Sequence, residues 1–146
     1  MSTPDGISGE DWDVVHDLSL KIVNAEAESE ENIYTNQLLQ YLDELEAKYG
    51  ALPSILATRA DYVSDTKDQA ALYRQAYALA EASHDITNLK EIAHSLAELY
   101  IDDLQDPSQG QIWIARLSEH ISSSPDKTLS ADLERLRENS NRIARQ

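Results

Sequence analysis

Cysteine and phenylalanine are both absent from this chain of 146 residues, and glycine and proline occur only four times each. Without cysteine the chain can form no disulfide, no thiolate metal site and no cysteine nucleophile. No stretch approaches the roughly 20 apolar residues that a transmembrane helix needs, so we expect no membrane span. Residues 1–13 lack the basic and apolar regions of a signal peptide. Together these absences predict a cytoplasmic protein.

Motifs that carry catalytic chemistry are also missing. The chain has no G-x-S-x-G, no P-loop, no H-E-x-x-H and no glycine-rich dinucleotide loop. Its histidines at positions 16, 84 and 120 stand apart from any serine motif that would make a nucleophile. We therefore expect a protein that is not an enzyme, with no catalytic residue and no cofactor.

Two patterns resemble parts of metal sites but are incomplete. Glu91 and His94 form one Glu-x-x-His, half of a di-iron carboxylate pattern that needs a second copy. Two aspartate triplets have the spacing of a loose carboxylate cluster but lack the glycine and closing glutamate of an EF-hand loop. Helix capping explains these triplets more simply; they are Asp61, Asp65 and Asp68, and Asp102, Asp103 and Asp106. The sequence therefore predicts no metal site.

What the chain has in excess is negative charge, with 27 Asp and Glu against 12 Lys and Arg and a formal net charge of −15. The excess is unevenly placed: residues 1–50 carry 12 acidic and 2 basic side chains, whereas residues 111–146 carry 5 and 6. Such a charge repels phosphates and argues against nucleic acid as a partner. It favours a basic protein partner, because like charges crowded in one third of a compact chain cost stability.

The pattern of apolar residues predicts an all-α fold of about seven helices, arranged as stacked antiparallel αα-hairpins. Few glycines and prolines, with much Ala, Leu, Glu and Gln, favour helix along most of the chain. The first two helices are expected to bury stripes at helical spacing, which are Trp12, Val15, Leu18 or Ser19, Ile22 and Val23, and Ile33, Leu38, Leu39, Leu42 and Leu45. Of the tyrosines, Tyr73 is expected in the core with Trp113, and Tyr34, Tyr41, Tyr62 and Tyr77 are expected to be partly exposed.

Residues 51–122 resemble the tetratricopeptide repeat (TPR) family. The first copy consists of Leu56-Ala57 and Ala60 on one helix and Tyr73 and Ala76 on the next. A second copy aligns as Ile92-Ala93, Leu96, Ile112 and Ala115, with an interval three residues longer. The family's Trp, Gly and closing Pro are absent at the matching positions. The resemblance implies a right-handed helical array whose concave face holds a peptide or a partner domain.

On this reading residues 1–146 form a single helical domain with three parts: an acidic hairpin over 1–50, TPR-like hairpins over 51–122 and a capping helix over 123–146. The arginines of the last helix leave alternatives open. That helix could cap the array, pack against the acidic third or mediate self-association.

The sequence thus predicts a non-enzymatic protein that binds another protein. In architecture and charge the chain is similar to small acidic helical immunity proteins, which implies an inhibitor of a basic toxin or effector domain. The alternative is a general TPR-like adaptor or chaperone that binds a peptide in its groove. The residues predicted to bind the partner are Asp13, Asp17, Glu28, Glu30, Glu31, Tyr34, Tyr41, Tyr77 and Asn88.

Overall fold

The computed structural model describes residues 1–146 as seven α-helices without a β-strand, which confirms the all-α prediction. The helices are α1 (Gly9–Val23), α2 (Glu28–Tyr49), α3 (Pro53–Asp61), α4 (Thr66–Ala82), α5 (Ile86–Glu98), α6 (Pro107–Ser123) and α7 (Lys127–Ala144). A π-helical segment, Leu99–Asp103, directly continues α5. None of the helices combines the length and the apolar character that crossing a bilayer requires.

Helix starts follow from local sequence, because a polar side chain at the cap position satisfies backbone N–H groups that lack a partner within the helix. Side chains cap five of the seven helices in this way; the capping residues are Ser8, Asp65, Asp85, Asp106 and Asp126. Two members of the aspartate triplets, Asp65 and Asp106, are therefore helix caps, as the sequence predicted. The last helix begins after Asp126, two residues beyond the Ser124-Pro125 pair that marks the break.

Gly50 ends α2 with a φ of +88°, a conformation that glycine adopts without steric cost. Its backbone N–H donates to the carbonyl oxygen of Glu46. The glycine thus provides the sharp stop between the long helix α2 and the short helix α3.

Consecutive helices pack against one another, and α5 also touches α3 and α7. This arrangement is compatible with a helical repeat. Buried apolar side chains form two clusters. The larger runs from Leu56 to Leu136 through α3 to α7, and the smaller joins α1 and α2 to Ile7 and Ile55.

The N-terminal segment ties these parts together through Asp5. Its carboxylate accepts hydrogen bonds from the backbone N–H and the hydroxyl of Ser54, at 2.7 and 2.9 Å. Helix α3 has no side-chain cap of its own, so Asp5 supplies from 49 residues away what a local cap supplies elsewhere.

Residues of the first TPR-like copy are packed as predicted, since Leu56, Ala60, Tyr73 and Ala76 all lie in the larger cluster. The second copy was aligned wrongly on α6, because both residues chosen there, Ile112 and Ala115, are exposed. Helix α6 instead buries Gly110, Trp113, Ile114 and Leu117. On this side Gly110 lies directly against Ile101 of the π-helical segment.

Candidate partner-binding surface

Asp11 fixes the position of α1 against the end of α2. Its carboxylate accepts hydrogen bonds from Tyr49 Oη at 2.6 Å, from Lys48 Nζ at 2.8 Å and from Tyr41 Oη at 3.4 Å. The hydrogen bonds from Lys48 and then Tyr49 lower the pKa of Asp11 to about 2. One acid of the N-terminal third is therefore a structural group, occupied within the hairpin.

The same contacts show that α1 and α2 run antiparallel. The start of α1 meets the end of α2 at Asp11, while Lys21 near the end of α1 lies 5.7 Å from the ring centre of Tyr34 near the start of α2. The predicted acidic residues consequently divide into two groups. Asp13 and Asp17 lie along the middle of α1, and Glu28, Glu30 and Glu31 form the first turn of α2. All five are exposed.

Most of the charge on this hairpin is not neutralised within the chain. Of the eleven carboxylates between residues 9 and 49, only Asp11, Asp43 and Glu46 form ion pairs, the last two with Arg59. The other eight are exposed, with Lys21 as the one further basic side chain of the hairpin. Glu28, Glu30 and Glu31 do complement the positive end of the α2 dipole. A positively charged partner would reduce the remaining repulsion among these carboxylates.

Aliphatic side chains are exposed on the same hairpin. Val14, Leu20, Val23 and Ile33 retain 38, 47, 77 and 56% of their surface. The prediction that Val23 and Ile33 belong to the buried stripes is wrong. Val23 is the last residue of α1, and Ile33 faces away from the side of α2 that buries Leu38 and Leu42. Asp13, Asp17 and Leu20 recur at i, i+4 and i+7, so carboxylates and an aliphatic side chain share one exposed face.

The predicted tyrosines have different surroundings. Tyr34 and Tyr41 are half-buried, as expected, and Tyr41 donates to Asp11. Tyr77 was expected to be partly exposed but retains only 3% of its surface. It packs edge-on against Trp113, and its hydroxyl lies 2.7 Å from His120 Nε2. Burial raises the pKa of the Tyr77 hydroxyl, and the residue is part of the core between α4 and α6.

Asn88, the predicted groove residue, is half-buried in the first turn of α5. Its amide nitrogen lies 2.6 Å from Asp85 Oδ2, 3.3 Å from Ser54 Oγ and 3.5 Å from Asp5 Oδ2. The NH₂ group of Asn88 is therefore engaged within the fold. The structure brings Asn88 close to none of the acids of the hairpin's outer face.

His94 does not combine with Glu91 but with residues further along. Its Nδ1 lies 3.6 Å from Glu98 Oε1, and its Nε2 contacts Asp132 of α7. These three residues are close enough to share a metal ion. However, the Arg135 guanidinium binds Asp132 and Glu98 from the other side, and a fixed cation disfavours a second one. The group is better described as an ion-pair network between α5 and α7.

The arginines of α7 pair with nearby residues and with α5 and α6. Arg135 binds Asp132, Glu98 and Asp102, and Arg137 binds Glu134 and Ser118. Helix α7 packs on α5 and α6 at the end of the array, remote in the packing order from the acidic hairpin. The sequence could not show this, because ion pairs between helices depend on the packing.

Comparison with known protein families, with curated protein sequences and with solved structures finds no match to this chain.

Proposed function

We propose that this chain is a protein-binding protein that recognises a basic protein partner through the outer faces of α1 and α2. The observation that carries the proposal is the combination of eight exposed carboxylates without ion pairs and four exposed aliphatic side chains on one two-helix hairpin. An ordinary solvated helix face would explain the carboxylates by themselves, so the proposal rests on their combination with exposed aliphatic side chains on the same hairpin.

The two kinds of residue supply different parts of recognition. Exposed charges of one sign steer an oppositely charged partner and accelerate its association, and this effect weakens as salt is added. Aliphatic side chains supply apolar area at short range, as in interfaces with an apolar centre and a polar rim. Leu20 beside Asp13 and Asp17 on α1 is the clearest example of that arrangement.

For the partner we propose a toxin or effector domain with a basic active-site cleft, which this chain inhibits in the manner of an immunity protein. The TPR-like helices α3 to α6, with α7 as the capping helix, then act as the scaffold that carries the hairpin. The alternative of a peptide-binding adaptor receives no support from the two groove residues predicted for it. Tyr77 is buried and the NH₂ group of Asn88 is engaged internally.

The experiment is an affinity capture in which the wild type, a hairpin variant and a control variant are immobilised separately. The hairpin variant carries Asp13→Asn, Asp17→Asn, Glu28→Gln and Glu30→Gln. The control variant carries Glu81→Gln, Asp103→Asn, Glu119→Gln and Glu138→Gln, which are also exposed and outside any ion pair. Both variants lose four negative charges, so they separate the place of the charge from its total.

We expect a basic protein that is retained by the wild type and the control variant and released by the hairpin variant. If both variants lose retention equally, retention depends only on net charge. That result would contradict the proposed surface. Retention that is kept by the hairpin variant and lost on changing Asn88 would favour the adaptor.

A further inference from the structure

Helix α5 packs mainly on α4 and α6, also touches α3 and α7, and carries a row of polar residues along one side. Glu91, Ser95 and Glu98 recur there at i, i+4 and i+7, which places them one above another on the same side of the helix. Asn88 and His94 flank this row. Because α5 touches both α3 and α7, the row borders one groove on each side.

On the α7 side, Glu98 of this row joins Asp102 of the π-helical segment and Asp132 of α7 around one guanidinium. The Arg135 side chain donates to Asp132 Oδ1 at 2.5 Å, to Asp102 Oδ2 at 3.1 Å and to Glu98 Oε2 at 3.4 Å. Hydrogen bonding to Arg135 lowers the pKa of Asp132. Three carboxylates from α5, the π-helical segment and α7 thus share one planar cation.

On the α3 side the carboxylates have no such partner. A cleft of about 180 Å³ lies between α1, α3 and α5, and its walls include Trp12, Asp61, Asn88, Glu91 and Ser95. Asp61 accepts a hydrogen bond from Tyr73 and Glu91 accepts none, and neither carboxylate forms an ion pair.

Asp61 lines this cleft from α3, and the residue as a whole is exposed. Desolvation raises the pKa of its carboxyl, in contrast to Asp132 on the other side of α5. No nearby positive charge offsets the desolvation of the ionised Asp61 carboxylate, and a cation placed beside it would stabilise the ionised form.

We infer that this cleft binds the guanidinium group of an arginine side chain supplied by the basic protein partner. The inference rests on the proposed function for the source of the arginine, and it adds a second point of contact to the hairpin. Asp61 and Glu91 provide the acceptors for its N–H groups, and the Trp12 ring provides an aromatic face on which the planar group can stack.

The dimensions and the lining favour arginine over lysine. A water molecule occupies about 30 Å³ in the liquid, so the cleft has room for a group the size of several waters. Acceptors on α3 and α5 lie on different walls, and a guanidinium carries five N–H donors in a fixed fork that can reach both.

The test uses the full chain and a small probe, N-acetyl-arginine methylamide, with N-acetyl-citrulline methylamide as its neutral isostere. The readout is the indole N–H resonance of Trp12 in ¹H–¹⁵N NMR spectra. The other tryptophan, Trp113, retains only 4% of its surface and serves as an internal reference.

We expect the arginine probe to move the Trp12 resonance saturably, with a dissociation constant in the millimolar range. The double variant Asp61→Asn Glu91→Gln should bind at least about tenfold more weakly. The amide that Asp61→Asn introduces keeps an oxygen that accepts from Tyr73, so the fold is retained. The control pair Asp103→Asn Glu119→Gln removes the same charge elsewhere and should bind as the wild type does.

An unmoved Trp12 resonance, or an equal shift with citrulline or with the double variant, would overturn this inference. The hairpin variant described above should bind the probe as the wild type does, within about twofold. Loss of partner capture in that variant therefore tests the proposed function alone, and loss of probe binding in the Asp61/Glu91 variant tests the cleft alone.

Discussion

At the scale of single residues, aspartates of this chain serve three purposes that depend on what lies within hydrogen-bonding distance. Asp5, Asp65 and Asp106 satisfy backbone N–H groups at helix starts. Asp11 joins two helices through side chains. Asp13, only two residues further on, is exposed and outside any ion pair. The formal net charge therefore overstates the number of carboxylates that are free to meet a partner.

The lowered pKa of Asp11 makes its contribution to stability depend on pH. The pKa falls from an ordinary 3.8 to about 2 in the folded chain, chiefly because of the hydrogen bond from Lys48. The ionised carboxylate therefore stabilises the fold above about pH 4, and this contribution is lost as the pH falls toward 2.

We predict that the free energies of unfolding of the wild type and the Asp11→Asn variant differ at pH 5 and converge as the pH approaches 2. Denaturant unfolding at several pH values measures this difference. Asp13→Asn is the matched control, because it removes an equal charge without touching the network. A constant difference between wild type and Asp11→Asn across this range would contradict the role given to Asp11.

At the scale of the helices, Gly110 determines how closely α6 approaches the π-helical segment. A Cβ atom at this position would lie 2.2 Å from Ile101 Cδ1 and 2.7 Å from its Cγ1. Ile101 is completely buried and has little room to move. Glycine is retained here inside a helix, where alanine would otherwise be favoured.

We predict that Gly110→Ala destabilises the fold by about 1–3 kcal/mol through overpacking. The direction of the change in stability is informative, since the same substitution in an unhindered helix position stabilises by about 0.5–1 kcal/mol. Denaturant unfolding measures the effect, and adding Ile101→Ala should recover part of it in a double-mutant cycle. An unchanged or higher stability of Gly110→Ala would show that Ile101 leaves room for a Cβ atom at position 110.

Helix positions and starts could be predicted from the sequence because their signals are local. Ser8 and Asp106 cap α1 and α6, and Pro53 begins α3. The buried side of α6 could not, since it is set by packing between helices, such as the close approach of Gly110 to Ile101. Burial of Tyr77 was missed for the same reason, because its neighbours Trp113 and His120 are distant in sequence.

The acidic hairpin itself was visible in the sequence, but the roles of its members were not. Distinguishing Asp11 from Asp13 requires knowing that the end of α2 lies beside the start of α1. The row Glu91, Ser95 and Glu98 had a signal in its helical spacing. Within this row only Glu98 is paired with Arg135. The sequence could not show this, because the pairing depends on how α7 packs.

At the scale of the whole molecule, the net charge of −15 is concentrated on one hairpin whose apolar cluster is separate from that of the other helices. Repulsion among these carboxylates opposes the compact state. Salt shortens the range of that repulsion, from a Debye length of about 10 Å at 0.1 M to about 3 Å at 1 M.

We predict that the thermal midpoint of unfolding rises as sodium chloride is increased from low salt to about 0.5 M. A gain of about 1 kcal/mol corresponds to roughly 2–4 °C for a chain of this size. The hairpin variant should start from a higher midpoint at low salt and gain less on adding salt than the wild type. A midpoint that falls with salt would mean that attractive pairs, such as those of Arg135, outweigh the repulsion.

We propose that the outer faces of α1 and α2 dock a basic protein. The test is to measure the dissociation constant of each charge variant for the purified, captured partner. Four rim charges at a few tenths of a kcal/mol each predict about tenfold weaker binding for the hairpin variant, mostly through slower association. The control variant, with the same net charge, should stay within about twofold of the wild type. Equal dissociation constants for the two variants would contradict the account.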